Sequence, residues 1–324
     1  MNKLTLVAAC ALLAMVACKQ SDQKTEPVPS LSNQPTVEVK LNLKGDIITG
    51  ETPMGRKAAL STQNKTVRDS VIYAVAVRQD HRLLAMGLFN RIVDSIPLKV
   101  PTTGTISVSA VAFKKSSGNG LYYSFDSTGN QNFPYPFYAA LRNRMDTLVS
   151  PYSSPDSLNY LSVFADSSSP AYTINEYSEL ETHYGRVTFS GSSTPSALTI
   201  QLKRVVFGVK YVVDNFTAGR IKIEYSNNRL APRYLTPGSP SNQYTYTADE
   251  LKNRDSVYNA PILTVKWEKP DGSNITIGSR PLSFKRNILT TVRISLPAPG
   301  SNGSTWLRPI LTEISWMWYE DVNL

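Results

Sequence analysis

Six carboxylates, Asp146, Asp156, Asp166, Glu176, Glu179 and Glu181, fall in one stretch of the chain. Two carboxylates brought together in space are all that glycoside hydrolysis needs. These six are spread through polar segments at no fixed spacing, and they read as solvated surface acids. The two histidines, His81 and His183, are far apart and belong to no ligand-spaced cluster. Both read as surface or turn residues rather than as bases. No Gly-rich phosphate loop follows a strand and opens a helix, and no Ser nucleophile elbow occurs. The expectation is a non-enzyme with no catalytic, cofactor-binding or metal-binding residue. A hydrolase is kept only as a third reading.

The two cysteines, Cys10 and Cys18, carry different chemistry. Residues 1–17 read as a secretory signal peptide. Lys3 supplies the positive end, Leu4 to Val16 is apolar or small, and Met15-Val16-Ala17 stands directly before Cys18. A run of that length is too short to cross a bilayer. The segment resembles a bacterial lipobox, with Met15 where Leu is usual. Cys10 follows Val7-Ala8-Ala9, but its apolar run is very short. Cys18 is therefore the expected lipidation site and outer-membrane lipid the expected partner. Each buried acyl CH₂ contributes roughly 0.8 kcal/mol, and stable anchoring takes more than one chain. No other cysteine follows, so the exported chain has no disulfide framework.

Hydroxyl chemistry has a pattern of its own. Asp69-Ser70-Val71, Asp94-Ser95-Ile96, Asp146-Thr147-Leu148, Asp156-Ser157-Leu158 and Asp255-Ser256-Val257 share acid, hydroxyl and aliphatic residue in that order. The triplet resembles the O-glycosylation sequon of Bacteroides-type exported proteins, which makes Ser70, Ser95, Thr147, Ser157 and Ser256 candidate sites. Aromatics crowd another segment, at Tyr122, Tyr123, Phe125, Phe133, Tyr135, Phe137 and Tyr138. Stacking on sugar rings is one reading. The favoured one is that these rings anchor strands and loops.

The elements that hold these residues are strands. Val37, Val39, Leu41 and Leu43 alternate with polar residues. So do Ile106, Val108 and Ala110, then Leu198, Ile200 and Leu202. Val71 to Val77, Val205 to Val213, Ile221 and Ile223, Leu263 to Trp267 and Val292 to Leu296 repeat the period. Such alternation predicts strands with one face on a core and one in water. Helix signals are few: capping-box spacing at Thr247-Ala248-Asp249-Glu250, and a candidate helix over Ile174 to Tyr184. The fold class is all-β, with tandem Greek-key sandwiches and few short helices. Residues 18–35, rich in Pro, Ser and Lys, read as a polar tether. Flexible composition at Ser190 to Ser196 predicts a boundary there, giving an N-terminal sandwich at 36–194 and a C-terminal one at 195–324. The 34 basic and 25 acidic residues give a net charge of +9. They are scattered and no nucleic-acid module appears, so nucleic acid is not an expected partner. A basic exported protein can favour anionic surfaces.

Several stretches together resemble the fimbrillin superfamily of Bacteroides-type bacteria, whose members form fimbrial shafts, tips and anchors. They are Pro53-Met54-Gly55-Arg56-Lys57-Ala58-Ala59, Ile72 to Val77, Ala85-Met86-Gly87-Leu88-Phe89, Leu202 to Val213 with Phe216-Thr217-Ala218-Gly219, Val265-Lys266-Trp267-Glu268, and Phe284-Lys285-Arg286-Asn287. The resemblance implies two transthyretin-like sandwich domains, a cell-surface location and other fimbrial subunits as partners. It also implies a cut after Arg56, before Lys57, where a small residue is usual. Losing the first strand opens an apolar groove that the C-terminal strand of another subunit fills. Ile310, Ile314, Trp316 and Trp318 mark that donor strand, which either closes its own sandwich or pairs with another subunit. Left uncut, the chain would stay an anchor or an independent surface protein. The alternative reading is a monomeric lipoprotein that binds host or bacterial surface glycans through the aromatic segment.

Overall fold

The computed structural model describes residues 34–45, 71–92, 94–118, 120–147, 149–158, 177–226, 230 and 232–297, and the backbone of 163–164, 172–173 and 306–315. All of its extended elements are strands. The first are β1 (Thr36–Gly45), β2 (Ile72–Gln79), β3 (Arg82–Phe89), β4 (Ile96–Pro101) and β5 (Thr105–Lys115). Short strands follow: β6 (Ser124–Phe125), β7 (Gln131–Phe133), β8 (Ala139–Ala140), β9 (Arg144–Asp146), β10 (Val163–Phe164) and β11 (Tyr172–Thr173). Two long ones, β12 (Leu180–Ser190) and β13 (Ala197–Arg204), complete an eight-stranded sheet in the order β4-β1-β13-β12-β5-β2-β3-β9.

This sheet folds over on itself. β12 and β13 pair only at His183↔Arg204 and Tyr184↔Lys203. Beyond that point a Cβ on Gly185 would lie 2.4 Å from the Gln201 carbonyl oxygen, so only glycine lets the two backbones cross this closely. β4, β1 and β13 thus lie over β12, β5, β2 and β3. Val39, Leu41, Val75, Val77, Leu98, Val108 and Ile200 fill the space between. The β2–β3 turn is two residues long, and Asp80 and His81 both adopt positive φ, the geometry of a tight hairpin.

Several strands depart from the alternating expectation: β2 is buried on both faces from Ala74 to Val77, and the strand that opens the second half from Val206 to Val209. β5 is buried on both faces from Ile106 to Phe113. Its second face is covered by the segment that carries β6, β7 and β8. Phe137 stacks on Phe113 with ring centres 5.4 Å apart, and Phe133 and Leu158 pack beside them. The buried polar residues of β5 are satisfied there. Ser109 donates to Asp156 (2.9 Å), and Arg186 donates to the Ser107 hydroxyl (2.7 Å).

The second half contains β14 (Val206–Asp214), β15 (Arg220–Tyr225), β16 (Arg233–Leu235), β17 (Ser241–Thr247), β18 (Ile262–Glu268), β19 (Asn274–Pro281), β20 (Ile288–Ser295) and β21 (Trp306–Ser315). They form two four-stranded sheets, β17-β14-β20-β21 and β16-β15-β18-β19. Between them Phe207 stacks on Phe284 at 4.4 Å, and the hydroxyls of Tyr211 and Tyr225 hydrogen-bond each other in the buried core. The chain passes between the two halves at Val205, not at Ser190 to Ser196. The latter stretch contains the turn Gly191–Ser193, which joins β12 to β13 inside the first sheet. Its composition reflects a hairpin, and β13 stays with the first half because β1 pairs with it.

Of the two helix expectations, the short helix around Leu251 is present without its capping box, and the other is not met among the described residues. Asp249–Lys252 is a 3₁₀ turn whose N-cap is Ala248, with no side-chain cap bond. Thr247 instead donates its hydroxyl to the Leu180 carbonyl. The C-terminal part of the second candidate helix, from Leu180 onward, is strand β12. Its polar residues Glu181 and His183 were the misleading signal, because both are buried and partnered or packed within the sheet.

Candidate assembly site

β1 has an unusual place in its sheet. Its first half, Thr36 to Leu41, pairs antiparallel with β4, and its second half, Lys40 to Gly45, pairs parallel with β13. Only Lys40 and Leu41 are paired on both sides. β1 therefore splints two strands that are not hydrogen-bonded to each other. The alternation read from sequence fixes which face it buries: Val39 and Leu41 are 1% and 0% exposed, while Glu38 and Lys40 point to solvent. Gly45, at φ +133°, ends the strand where a Cβ would lie 2.2 Å from the Leu202 carbonyl oxygen. That contact pins the register of β1 on β13.

The slot that β1 occupies is apolar. Leu98 and Val100 of β4 and Leu198, Ile200 and Leu202 of β13 belong to the same buried cluster as Val39 and Leu41. Taking β1 away would leave these side chains open to water and two strand edges unpaired. β4 carries Pro97, Lys99 and Pro101, residues that blunt an edge. Late in the chain, β21 is the edge strand of its sheet and pairs antiparallel with β20, with Ile310 opposite Thr291 and Ile314 opposite Leu289. In this structure β21 thus closes its own sandwich.

The remaining candidate residues divide clearly. Cys18, Arg56, Lys57, Ser70, Trp316 and Trp318 lie outside the described residues. So do Asp166 and Glu176. Asp156 pairs with Arg78 (3.1 Å), Glu179 with Arg233, Glu181 with Arg204 and Lys114, and Asp146 with Arg142. Asp156, Glu179 and Glu181 are thus held in shielded ion pairs, whereas Asp146 stays solvent-exposed beside Arg142. Burial acts to raise the Glu181 carboxyl, but the Arg204 and Lys114 cations outweigh it and hold the group below its ordinary range. His81 is in the hairpin turn as expected. His183 is not at the surface: it is 3% exposed in β12, beside Glu181 and Arg204.

Of the candidate glycosylation residues, Thr147 and Ser256 are exposed, and Ser95 and Ser157 are half-buried. The aliphatic residue that follows is buried in three triplets, at Ile96, Leu158 and Val257. The preceding acid pairs with an arginine in three, at Asp146, Asp156 and Asp255. The aromatic segment is divided: Phe133 and Phe137 are core, Tyr122 and Tyr135 are half-buried, and Tyr123, Phe125 and Tyr138 are exposed. Tyr138 faces a cleft together with Asp126, Arg142 and Arg144. Sequence reading passed over those three charges. The one available signal was the Asp126-Ser127-Thr128-Gly129-Asn130 turn between β6 and β7.

No family model matches the chain, and no curated protein does. Solved structures similar to it include a candidate cell adhesion protein from Bacteroides eggerthii, at 15% identity and a TM-score of 0.40 over 88% of this chain and 94% of that one. Another is the fimbrial anchor protein from Porphyromonas gingivalis, at 11% identity and a TM-score of 0.38 over 86% of this chain and 99% of that one. A third is the tip fimbrial protein with C-terminal truncation from the same organism, at 10% identity and 0.37 over 86% and 100%.

Proposed function

We propose that this chain is a lipid-anchored surface protein of the fimbrillin type, a structural or adhesive fimbrial component assembled by strand exchange at the β1 slot. The observation that supports this most is the staggered pairing of β1. A single strand, joined to β2 by a connection that contains Arg56, fills an apolar slot between two strands that do not pair with each other. A cut after Arg56 leaves β1 held by noncovalent contacts alone. A strand from another subunit then regains the same main-chain hydrogen bonds and apolar pockets, so the exchange is close to balanced in energy. β21 is the natural donor, because an edge strand leaves its sheet by breaking one ladder instead of two.

The test is a gel of unboiled native outer membranes with N-terminal sequencing of the bands. A ladder whose subunits begin at Lys57, and which collapses to a monomer in Arg56→Ala, is the expected result. A single lipidated full-length band that Arg56→Ala does not change would overturn the exchange and leave an uncut surface lipoprotein.

A further inference from the structure

We infer that the cleft beneath Tyr138 is a binding site for a short neutral saccharide. It lies between β3, β9 and the small β6-β7-β8 sheet and has a volume of about 310 Å³, the low end of the range for small-molecule sites. It shares no lining residue with the β1 slot, and the inference does not depend on subunit exchange.

Charge and geometry select the ligand. Arg142 stands between two carboxylates, 3.6 Å from Asp126 and 3.6 Å from Asp146, and Arg144 adds a second guanidinium to the wall. Two cations and two anions make the lining neutral. An anionic ligand meets Asp126 and Asp146, a cationic one meets the arginines, and an apolar one strands all four. A polyol satisfies both signs, since each ring hydroxyl donates and accepts. At 3.6 Å the two ion pairs are longer than hydrogen bonds, so the Arg142 donors remain open to a ligand. Asn132 adds an amide with both functions.

The aromatic component is equally specific. Tyr138 has φ 47°, is 47% exposed and lines the cleft, with Tyr135 set edge-on behind it at 5.7 Å. A supported, half-exposed ring beside hydrogen-bonding groups is a platform for the C–H face of a sugar. The walls are preformed. Asp126 Oδ1 accepts from the Thr128 and Asn130 amides, both at 2.9 Å, and from the Thr128 hydroxyl at 2.7 Å. Those bonds, with the Thr128 hydroxyl foremost, hold the carboxyl well below the usual range, so it stays an acceptor. On the other side Asn143 Oδ1 accepts from the Asn90 and Arg91 amides. A site held this way loses little entropy on binding.

The test uses the full chain on an array of neutral, sialylated and sulfated glycans, followed by calorimetric titration of the tightest neutral ligand. Tyr138→Ala and Arg142→Ala should each weaken that ligand at least tenfold. Tyr152→Ala, at a ring that is 75% exposed and outside the cleft, should leave it unchanged. Tyr138→Ala sits on an exposed turn, so its melting temperature should match the parent and separate ligand loss from misfolding. The inference is overturned if no neutral glycan is retained, if anionic glycans are preferred, or if Tyr138→Ala binds as the parent does.

Discussion

At the scale of single residues, His183 sets a pH dependence. Burial, with the Arg204 and Lys114 cations adding to it and Glu181 opposing, brings its imidazole down from 6.5 to about 4. Its Nε2 has no hydrogen-bond partner among the described residues. The unfolded chain therefore takes up this proton near pH 6.5 and the folded chain only near pH 4. Between those values the unfolded state binds more protons, so stability is full above pH 6.5 and falls as pH drops toward 4. The loss is on the order of 3 kcal/mol. Urea melts of the parent and of His183→Gln at pH 7, 5.5 and 4.5 check it: the variant's stability should change much less over this window. The Glu181 carboxyl acts elsewhere, since its depressed value contributes stability that is lost only as pH falls below about 4.5. Single residues also explain the acid-hydroxyl-aliphatic triplets. Burial of Leu158 and Val257, with Asp156 and Asp255 in arginine pairs, gives two of these triplets a structural reason independent of sugar. Glycosylation of Thr147 or Ser256 stays a proposal that intact-mass measurement tests, with the parent mass alone counting against it.

At the scale of elements, β1 makes the sharpest stability prediction. Leu41→Ala should cost roughly 2–5 kcal/mol, because Leu41 is fully buried in a packed cluster. Lys40→Ala, one residue away on the solvent face, should change stability by less than about 0.5 kcal/mol. Gly45→Val should be destabilising as well, through both its positive φ and its contact with Leu202. Chemical denaturation of the three variants decides this. β1 was legible in sequence because one of its faces meets water, and the same holds for β13, β15, β18 and β20. β5 was half legible. Its alternation marked a strand, but the cover laid on its second face by Phe133, Phe137 and Leu158 comes from residues far along the chain. β12 was misread because Glu181 and His183 are polar yet buried, and a period-two reading takes polar for exposed. The cleft was the least legible feature. Asp126, Tyr138 and Arg144 meet only once β3, β6 and β9 are placed, and no local pattern encodes that.

At the scale of the whole molecule, the two halves are bonded to each other across their junction. Thr247 N–H donates to the Ser178 carbonyl (2.7 Å), Val205 N–H to the Thr182 carbonyl (2.9 Å), and Ser117 to the Thr245 carbonyl (2.9 Å). Arg233 of the second half pairs with Glu179 at the entry to β12, and Lys252 donates to the Asp156 carbonyl. Tyr177 packs edge-on against Phe207, which puts the second core in contact with the first. Removing β1 should therefore open one slot without separating the halves. A chain starting at Lys57 should bind a synthetic peptide of residues 306–319, and its melting temperature should rise by more than about 5 °C with peptide in excess. The full-length chain should show no such rise, since its slot is filled. Scanning calorimetry with and without peptide checks both expectations, and an unchanged melting temperature in the shortened chain would count against a slot shaped for that strand.

The stagger of β1 also has a mechanical meaning. In a chain held by its N-terminus, tension enters the folded part at Thr36 and runs along β1. Ladder hydrogen bonds lie across a strand rather than along it. A pull along β1 therefore loads the bonds to β4 and to β13 in shear, all together, instead of peeling them one by one. The antiparallel half bears first on β4, and the parallel half passes the load to β13 and so to the crossing at Gly185. The strand proposed for exchange is thus also set to resist being drawn out by force.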